Sequence, residues 1–281
     1  MPISIHPVPS IEACRHIEEL QAKIWECSSL EVVPDHMLWT MAKEGGMVLI
    51  ANSDTGEPVG FAFGFLSLTA DRRLKLASHQ VGVLPAYQSS GIGYQLKLTQ
   101  RKLALARQLN LITWTFDPLQ GRNANLNLHK LGAVSNTYLP NLYGEMRDEL
   151  NQGLPSDRFR VDWDIGSEHV ANRLAGHFTT LEVDNYPLLN PATIQNGFLA
   201  PPDAFEKPVD TFCLIEIPDD INDLKVIAPD LALRWRLHTR QIFETAFGAG
   251  YIVVDLLRRE ERNFYVLQKD WYAALSVVRS P

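Results

Sequence analysis

The stretch Gln88-Ser89-Ser90-Gly91-Ile92-Gly93 joins small polar side chains to two glycines, directly after an alternating apolar run and directly before a helical one. The first N–H groups of a helix have no internal acceptor, and the helix dipole adds partial positive charge there. Glycine lets a ligand approach those N–H groups closely, so the site suits a phosphate or pyrophosphate. The spacing matches neither GxxxxGK[ST] nor a GxGxxG followed by an acidic residue some twenty positions on. The eight histidines form no metal pattern, since His169 and His177 lie too far apart for HExxH, and no metal is expected.

Positioning such a turn takes a strand before it and a helix after it. "LKLASHQVGVL", from Leu74, alternates as a strand should, and the helix is predicted from about Gly91 to Gln108. Ile92, Leu96, Thr99, Leu103 and Ala106 mark its apolar face. Upstream, helices are predicted over residues 11–27 and from Pro34-Asp35 to Gly45, then strands at "MVLIAN" and "VGFAFGFLSL" joined by the turn "SDTGEP". Glycines inside the second of these strands imply close approach of a neighbouring backbone. "LITWTF" is a further strand, and "RNANLNLHKLG" a short helix ended by Gly132.

Beyond residue 154 the texture changes. "YPLLNPATIQNGFLAPPDAFEKP" holds five prolines without convincing periodicity, and an irregular segment of that length is expected to close over bound substrate. A strand at "TFCLIEI", a helix from Pro229 to Gly248 and strands at "YIVVDLLRRE" and "NFYVLQK" complete the chain. The expected organisation is α/β (α+β): a domain over 1–154 with a mixed sheet flanked by helices, and a smaller α/β unit over 155–281.

At 46% hydrophobic the chain of 281 residues can bury a substantial core. Its net charge of −7, from 26 basic and 33 acidic residues, argues against a nucleic-acid partner. Cys14, Cys27 and Cys213 are widely spaced without a CxxC, as in a reducing cytosol. No apolar run reaches membrane-spanning length and no signal pattern opens the chain, so a cytoplasmic location without membrane association is expected.

"GVLPAYQSSGIGYQLKLTQRKLA" resembles, in order and spacing, the acyl-CoA-binding signature [QR]-x-x-G-x-[GA] of the Gcn5-related N-acetyltransferase (GNAT) superfamily. The likeness covers roughly the first half of the chain. "LITWTFDPLQGRNANLNLHKLGAVSNTYLPNLYGEM" further resembles an uncharacterised two-domain branch of that superfamily, a predicted acetyltransferase group. The resemblance implies a mostly antiparallel GNAT-like sheet and an acetyl-CoA or other acyl-CoA co-substrate. Its pantetheine arm would pair with backbone groups of Val81, Gly82 and Val83. Its pyrophosphate would rest on the N–H groups from Gln88 through Ser89, Ser90, Gly91, Ile92 and Gly93 to Tyr94.

The activity implied is N-acyl transfer, of acetyl or a larger group such as succinyl, to a small primary amine such as an amino acid. The chemistry needs a base, a polarised carbonyl and a proton for the thiolate. His79 is the candidate base, placed by the period of two on the face of Val81 and Val83; the alternative is a core or edge histidine. Many members carry a tyrosine proton donor where this chain has Leu128, leaving Tyr138, Tyr143 or water for that step. Leu128 also keeps open a non-catalytic CoA-binding or regulatory protein. Asn123 and Asn127, four apart, would contact CoA or acceptor, or else satisfy a turn. In the second unit, beside Trp235, Arg234, His238 and Arg240 either clamp an acceptor carboxylate or form a solvated helix face. Specificity would come from the Pro-rich stretch and the 155–281 unit completing the acceptor cleft. Homo-oligomerisation is left open.

Overall fold

The computed structural model of the protein describes residues 2–28, 30–144, 153–178 and 183–271. They fall into two compact units, the first built on Met1–Trp114 with Asp164–Ser167, the second on Thr115–Met146 with Asn151–Trp163 and Glu168–Pro281.

In the first unit β1 (Ser4–Pro7), α1 (Ile11–Trp25), α2 (Asp35–Lys43), β2 (Met47–Asn52), β3 (Pro58–Leu68), β4 (Leu74–Val83), α3 (Ile92–Ala106) and β5 (Leu111–Phe116) succeed one another along the chain. The strands lie in the order β1-β2-β3-β4-β5, antiparallel up to β4, while β4 and β5 run parallel. This is the mixed, mostly antiparallel sheet that the sequence predicts.

β3 shows why both faces can be covered. Its "GFAFGF" puts aromatic and small residues on alternate faces, as the two-residue strand period requires. Phe61 and Phe63 turn into a core with Cys14, Ile17 and Leu20 of α1, Leu38 of α2, and Val48 and Ile50 of β2. The opposite face offers Gly60, where an added Cβ would stand 3.4 Å from Ile92 of α3 and 2.9 Å from the Gly82 carbonyl. Gly64 is tighter still, since a Cβ there would meet the Ala77 carbonyl at 2.5 Å. The backbone approach expected at these glycines is therefore present.

The inward face of α3 differs from the predicted one. Ile92, Leu96, Lys97, Gln100 and Ala104 are buried, whereas Thr99 stays at the margin with its hydroxyl donating to Gln95 O. The helix is rotated so that two polar residues enter the core, which an apolar count cannot foresee.

In the second unit α4 (Gly121–Ala124) runs into a π-helical turn, Asn125–Lys130, and then come β6 (Val134–Leu139), β7 (Arg158–Asp164) and α5 (Glu168–Leu174). The chain continues through β8 (Thr193–Gln195), β9 (Phe198–Ala200), β10 (Phe212–Ile217), α6 (Ile221–Ile227), α7 (Pro229–Gly248), β11 (Tyr251–Arg259) and β12 (Arg262–Lys269). Its antiparallel sheet has the order β7-β6-β11-β12-β10. Phe159, Tyr138, Phe243 and Tyr265 pack edge to face in its core.

The Pro-rich stretch is more ordered than its composition suggests. Asn196 and Gly197 both take positive φ, 52° and 84°, and close the hairpin β8–β9, the pairing of residues that a tight hairpin turn demands. Main-chain bonds join Leu189 and Pro187 to Leu214, Trp235 Nε1 donates to Leu199 O, and the buried Glu216 accepts from Ala192 N. A segment tied at so many points is a fixed part of the second unit. The expectation of a closing lid is corrected accordingly.

Candidate functional site

The chemistry of the first unit gathers on the edge of β4 that faces away from β3. In an antiparallel ladder, opposed residues alternate between pairs that exchange hydrogen bonds and pairs whose N–H and C=O point outward. Leu84 N donates to Val59 O, which makes that pair a bonded one. Gly82 opposite Phe61 is then also bonded, while Val81 opposite Ala62 and Val83 opposite Gly60 turn their main-chain groups away. On that outer side β5 meets β4 at Leu76 and Ala77 alone among the described residues. Beyond Ala77 the two strands share no further pairing among the described residues, which leaves a slot in the ladder at Val81 and Val83. Gly82, named with them from the sequence, uses its backbone on β3.

The slot leads to the start of α3. Gly91 caps the helix at φ +85°, and the first helical acceptor bond is Gln95 N to Gly91 O, so the N–H groups of Ile92, Gly93 and Tyr94 precede the ladder. No atom lies within 4 Å of where a Cβ would stand on Gly91 or Gly93. The turn is braced locally: Ser90 Oγ donates to Tyr87 O, and Gln88 Nε2 to Val83 O at 3.2 Å. Ser89 takes φ +64°, a cost the bracing must offset.

His79 sits in a bulge. β4 pairs Gln80 with Phe63 and then Ser78 with Gly64, leaving His79 as the extra residue. The bulge breaks the two-residue alternation, so His79 does not share a face with Val81 and Val83. It turns to the α1 side, its ring 5.7 Å from that of Phe63 and 6.2 Å from that of Phe65. The residue is exposed overall, and partial burial of its ring moves its pKa below the ordinary histidine value. The imidazole is thus neutral near pH 7 and able to accept a proton.

Behind the bulge, on the α3 side, lies a group that sequence reasoning missed. Lys97 is 3% exposed, with Nζ donating to Ser78 Oγ at 2.9 Å and standing 3.6 Å over the Trp114 ring. Ser78 Oγ donates in turn to Gln100 Oε1 at 3.0 Å, and Gln100 Nε2 has no partner among the described residues. Desolvation alone acts on the ammonium and brings its pKa down to about 7. The available signal was the i, i+4 series Ile92-Leu96-Gln100-Ala104, which places Lys97 beside it.

The remaining candidates lie in the second unit. Tyr138 is buried and its hydroxyl donates to Asp157 Oδ2 at 2.7 Å; burial, then the Asp157 charge, pushes its pKa well up. Its proton is held there rather than offered. Tyr143 is exposed, its hydroxyl 3.0 Å from Thr115 Oγ1. Asn123 is exposed whereas Asn127 is buried, because the π-helical turn beginning at Asn125 breaks the i, i+4 relation. Leu128, at the usual tyrosine place, is fully buried.

Neither Arg234 nor Arg240 of α7 forms an open clamp. Arg240 grips Asp157 through two bonds of 2.8 and 2.7 Å, and Arg234 ties Pro201 O and Asp203 at 2.7 and 2.8 Å. His238 is buried beside Phe205 and Trp235, and its Nε2 has no partner among the described residues. No group of three His, Cys, Asp or Glu side chains among the described residues is placed to hold a metal ion. None of the described helices is long and apolar enough to cross a membrane.

Comparison with curated proteins gives no match. Among solved structures, the ribosomal-protein-S18-alanine N-acetyltransferase from Escherichia coli is similar at 14% identity, with 59% of this chain and 96% of that one covered and a TM-score of 0.46. YncA from Salmonella typhimurium, solved with acetyl-CoA, is similar at 18% identity over 60% and 96% of the two chains, with a TM-score of 0.46. Arabidopsis thaliana Naa50, in complex with the bisubstrate analogue CoA-Ac-MVNAL, is similar at 16% identity over 58% and 98%, with a TM-score of 0.45. The model of the Acetyltransferase (GNAT) family matches residues 14–133, a span that takes in most of α1, the bulged β4, the glycine turn, α3 and the π-helical turn. Over residues 14–133 the chain thus matches a GNAT-family acetyltransferase domain.

Proposed function

We propose that the protein is a CoA-dependent N-acyltransferase that transfers acetyl, or a larger acyl group such as succinyl, to a small primary amine, amino acids included. One observation carries the reading: the outward main-chain groups of Val81 and Val83 lead to a helix start whose first N–H groups precede the helical ladder and whose two glycines meet nothing where a side chain would stand. The pantetheine arm of an acyl-CoA would pair with the first, as an added strand does, and the diphosphate would accept from Ile92, Gly93 and Tyr94. The fit is chemical as well as geometric, since amide groups on the arm need both a donor and an acceptor. Gln88 Nε2 already engages the Val83 carbonyl, so at that residue the N–H is the group on offer.

Acyl transfer requires the amine to arrive without its proton. A neutral His79 at the bulge suits that task, on the α1 side of the sheet. A main-chain N–H at the slot would polarise the thioester carbonyl. What the domain lacks is an evident acid for the departing sulfur, because Leu128 cannot donate and Tyr138 is committed to Asp157.

Leu128 favours a second reading, a CoA-binding or regulatory protein of the same fold that frees no thiol. The deciding experiment measures thiol release from acetyl-CoA and succinyl-CoA against a panel of amino acids and simple amines, beside calorimetric CoA binding. Release that needs both donor and amine supports the enzyme. Binding without release under every amine supports the second reading, and no CoA binding removes both.

A further inference from the structure

A buried site with hydrogen-bond donors in surplus and no anion to receive them is incomplete as an architectural element. Lys97 Nζ carries three protons, and among the described residues it makes one hydrogen bond, to Ser78, besides its contact with the face of Trp114. Gln100 adds an amide nitrogen without a partner among the described residues. No carboxylate among the described residues pairs with Lys97, and desolvation is the sole influence on its charge. Removing an unpaired ammonium from water costs several kcal/mol, a cost usually met by a counter-ion.

The location suggests what the anion is. The slot along β4 closes where β5 rejoins it, at Leu76 and Ala77. An arm laid from the α3 start past Val83 and Val81 covers roughly 16 Å by the time it reaches Ser78, at about 3.3 Å per strand residue. Its far end, the sulfur, would come to the closed end of the slot, where Ser78 Oγ accepts from Lys97 Nζ and donates to Gln100 Oε1 on the α3 side. His79 lies one residue on and turns to the α1 side. Base and cation thus stand on opposite faces of the sheet.

We infer that Ser78 turns its hydroxyl from the neutral Gln100 carbonyl to the thiolate released in acyl transfer and hands it the proton, and that Lys97 is the positioning residue that recharges Ser78 and compensates the negative charge. This rests on the proposed CoA-dependent reading. As the C–N bond forms and the C–S bond breaks, the sulfur takes the Ser78 proton, Ser78 takes one from Lys97, and the proton shed by the nitrogen returns to Lys97 through solvent. The proton the ammonium lost on becoming reactive, passed by His79 to solvent, is the single net proton released. Leu128 then needs no substitute from the π-helical turn.

The test compares wild type with Lys97→Met and, separately, Ser78→Ala, using free CoA as the probe. Calorimetry gives affinity, and the ultraviolet absorbance of the thiolate gives the titration of the bound sulfur. The expected result is a bound thiol titrating about one unit or more below free CoA in wild type, a shift lost in Lys97→Met, with CoA affinity changed less than about threefold because the diphosphate is held elsewhere. Turnover with acyl-CoA falls by about tenfold or more in both variants. Identical thiol titration in wild type and Lys97→Met, both with CoA bound, overturns the inference. Should either variant fail to fold, the titration in the other decides. Absence of CoA binding by wild type overturns the proposed function instead, and the inference with it.

Discussion

The two units treat buried charge in opposite ways. In the second, the buried carboxylates among the described residues meet their cations: Asp157 takes two bonds from Arg240, Asp255 one from Arg173 at 2.7 Å, Glu216 pairs with Arg262, and the half-buried Asp117 takes two bonds from Arg236. Burial is the largest influence on Asp157 and acts to raise its pKa, yet bonds from Arg240, Tyr138 and Asn141 leave it lowered. In the first unit Lys97 is as deeply buried and no carboxylate among the described residues pairs with it. Paired charge fixes chain geometry, at a net free energy that is small or unfavourable. Unpaired charge lowers stability outright, and is retained where chemistry needs it. The same contrast separates the backbones, since the second unit's Pro-rich stretch is tied by bonds while β4 turns Val81 and Val83 outward.

The largest effect should come from breaking a compensated pair. Asp157→Ala leaves the Arg240 guanidinium, the Tyr138 hydroxyl and the Asn141 N–H without their acceptor, at a cost of about 3–5 kcal/mol. Chemical denaturation measures it, and a loss under ~1 kcal/mol would show that this network is not structural.

Lys97→Met should act in the other direction. The folded-state pKa of about 7 lies below the ordinary lysine value of 10.5, so the unfolded chain binds more protons between those limits and wild-type stability rises with pH across them. The variant should therefore be more stable by roughly 2–4 kcal/mol below pH 7, a gain shrinking to nothing above about pH 10. Parallel stability curves for the two proteins would mean that the ammonium is solvated or paired.

Smaller, and confined to the ligand, is the effect expected of Gly93→Val. Gly93 is helical and faces open space, so the fold persists while the side chain enters the diphosphate site; CoA affinity should fall about 100-fold, or about 2.7 kcal/mol. Gly91 is the poorer probe, because φ +85° would strain any side chain placed there. Unaltered affinity in Gly93→Val removes the diphosphate from this turn.

His79→Gln should have the mildest consequence, about a tenfold loss in turnover, since amines also lose protons to water. In wild type the rate should climb with pH along a limb centred below the ordinary histidine value of 6.5 and level off above it. Persistence of that limb in the variant would assign the base elsewhere.

Much of this was legible in the residues. The order of strands and helices through α3, the turn at Ser53–Glu57, the bare helix start at Gly91 and the positions of β10, α7, β11 and β12 arise from period, caps and turn residues, all local properties. The Asn196-Gly197 turn was equally local and was obscured by the prolines around it. Other features were beyond local reading. A bulge adds one residue to a strand without leaving a mark in its composition, so the face of His79 could not be counted out from Val81. The π-helical turn separates Asn123 from Asn127 in the same unmarked way.

What the sequence determined by itself is the kind of site: a glycine-opened helix start after a strand, with the donors that a diphosphate needs, because backbone geometry at a helix N-terminus depends on nearby residues alone. Only the tertiary structure decided which groups stand around it. Strand pairing chose the edge of β4 that remains open, the bulge chose the face of His79, and the packing of α3 against β4 and Trp114 buried Lys97. Burial and charge compensation are properties of neighbours brought from afar, and a lysine's letter is the same whether water or tryptophan surrounds it.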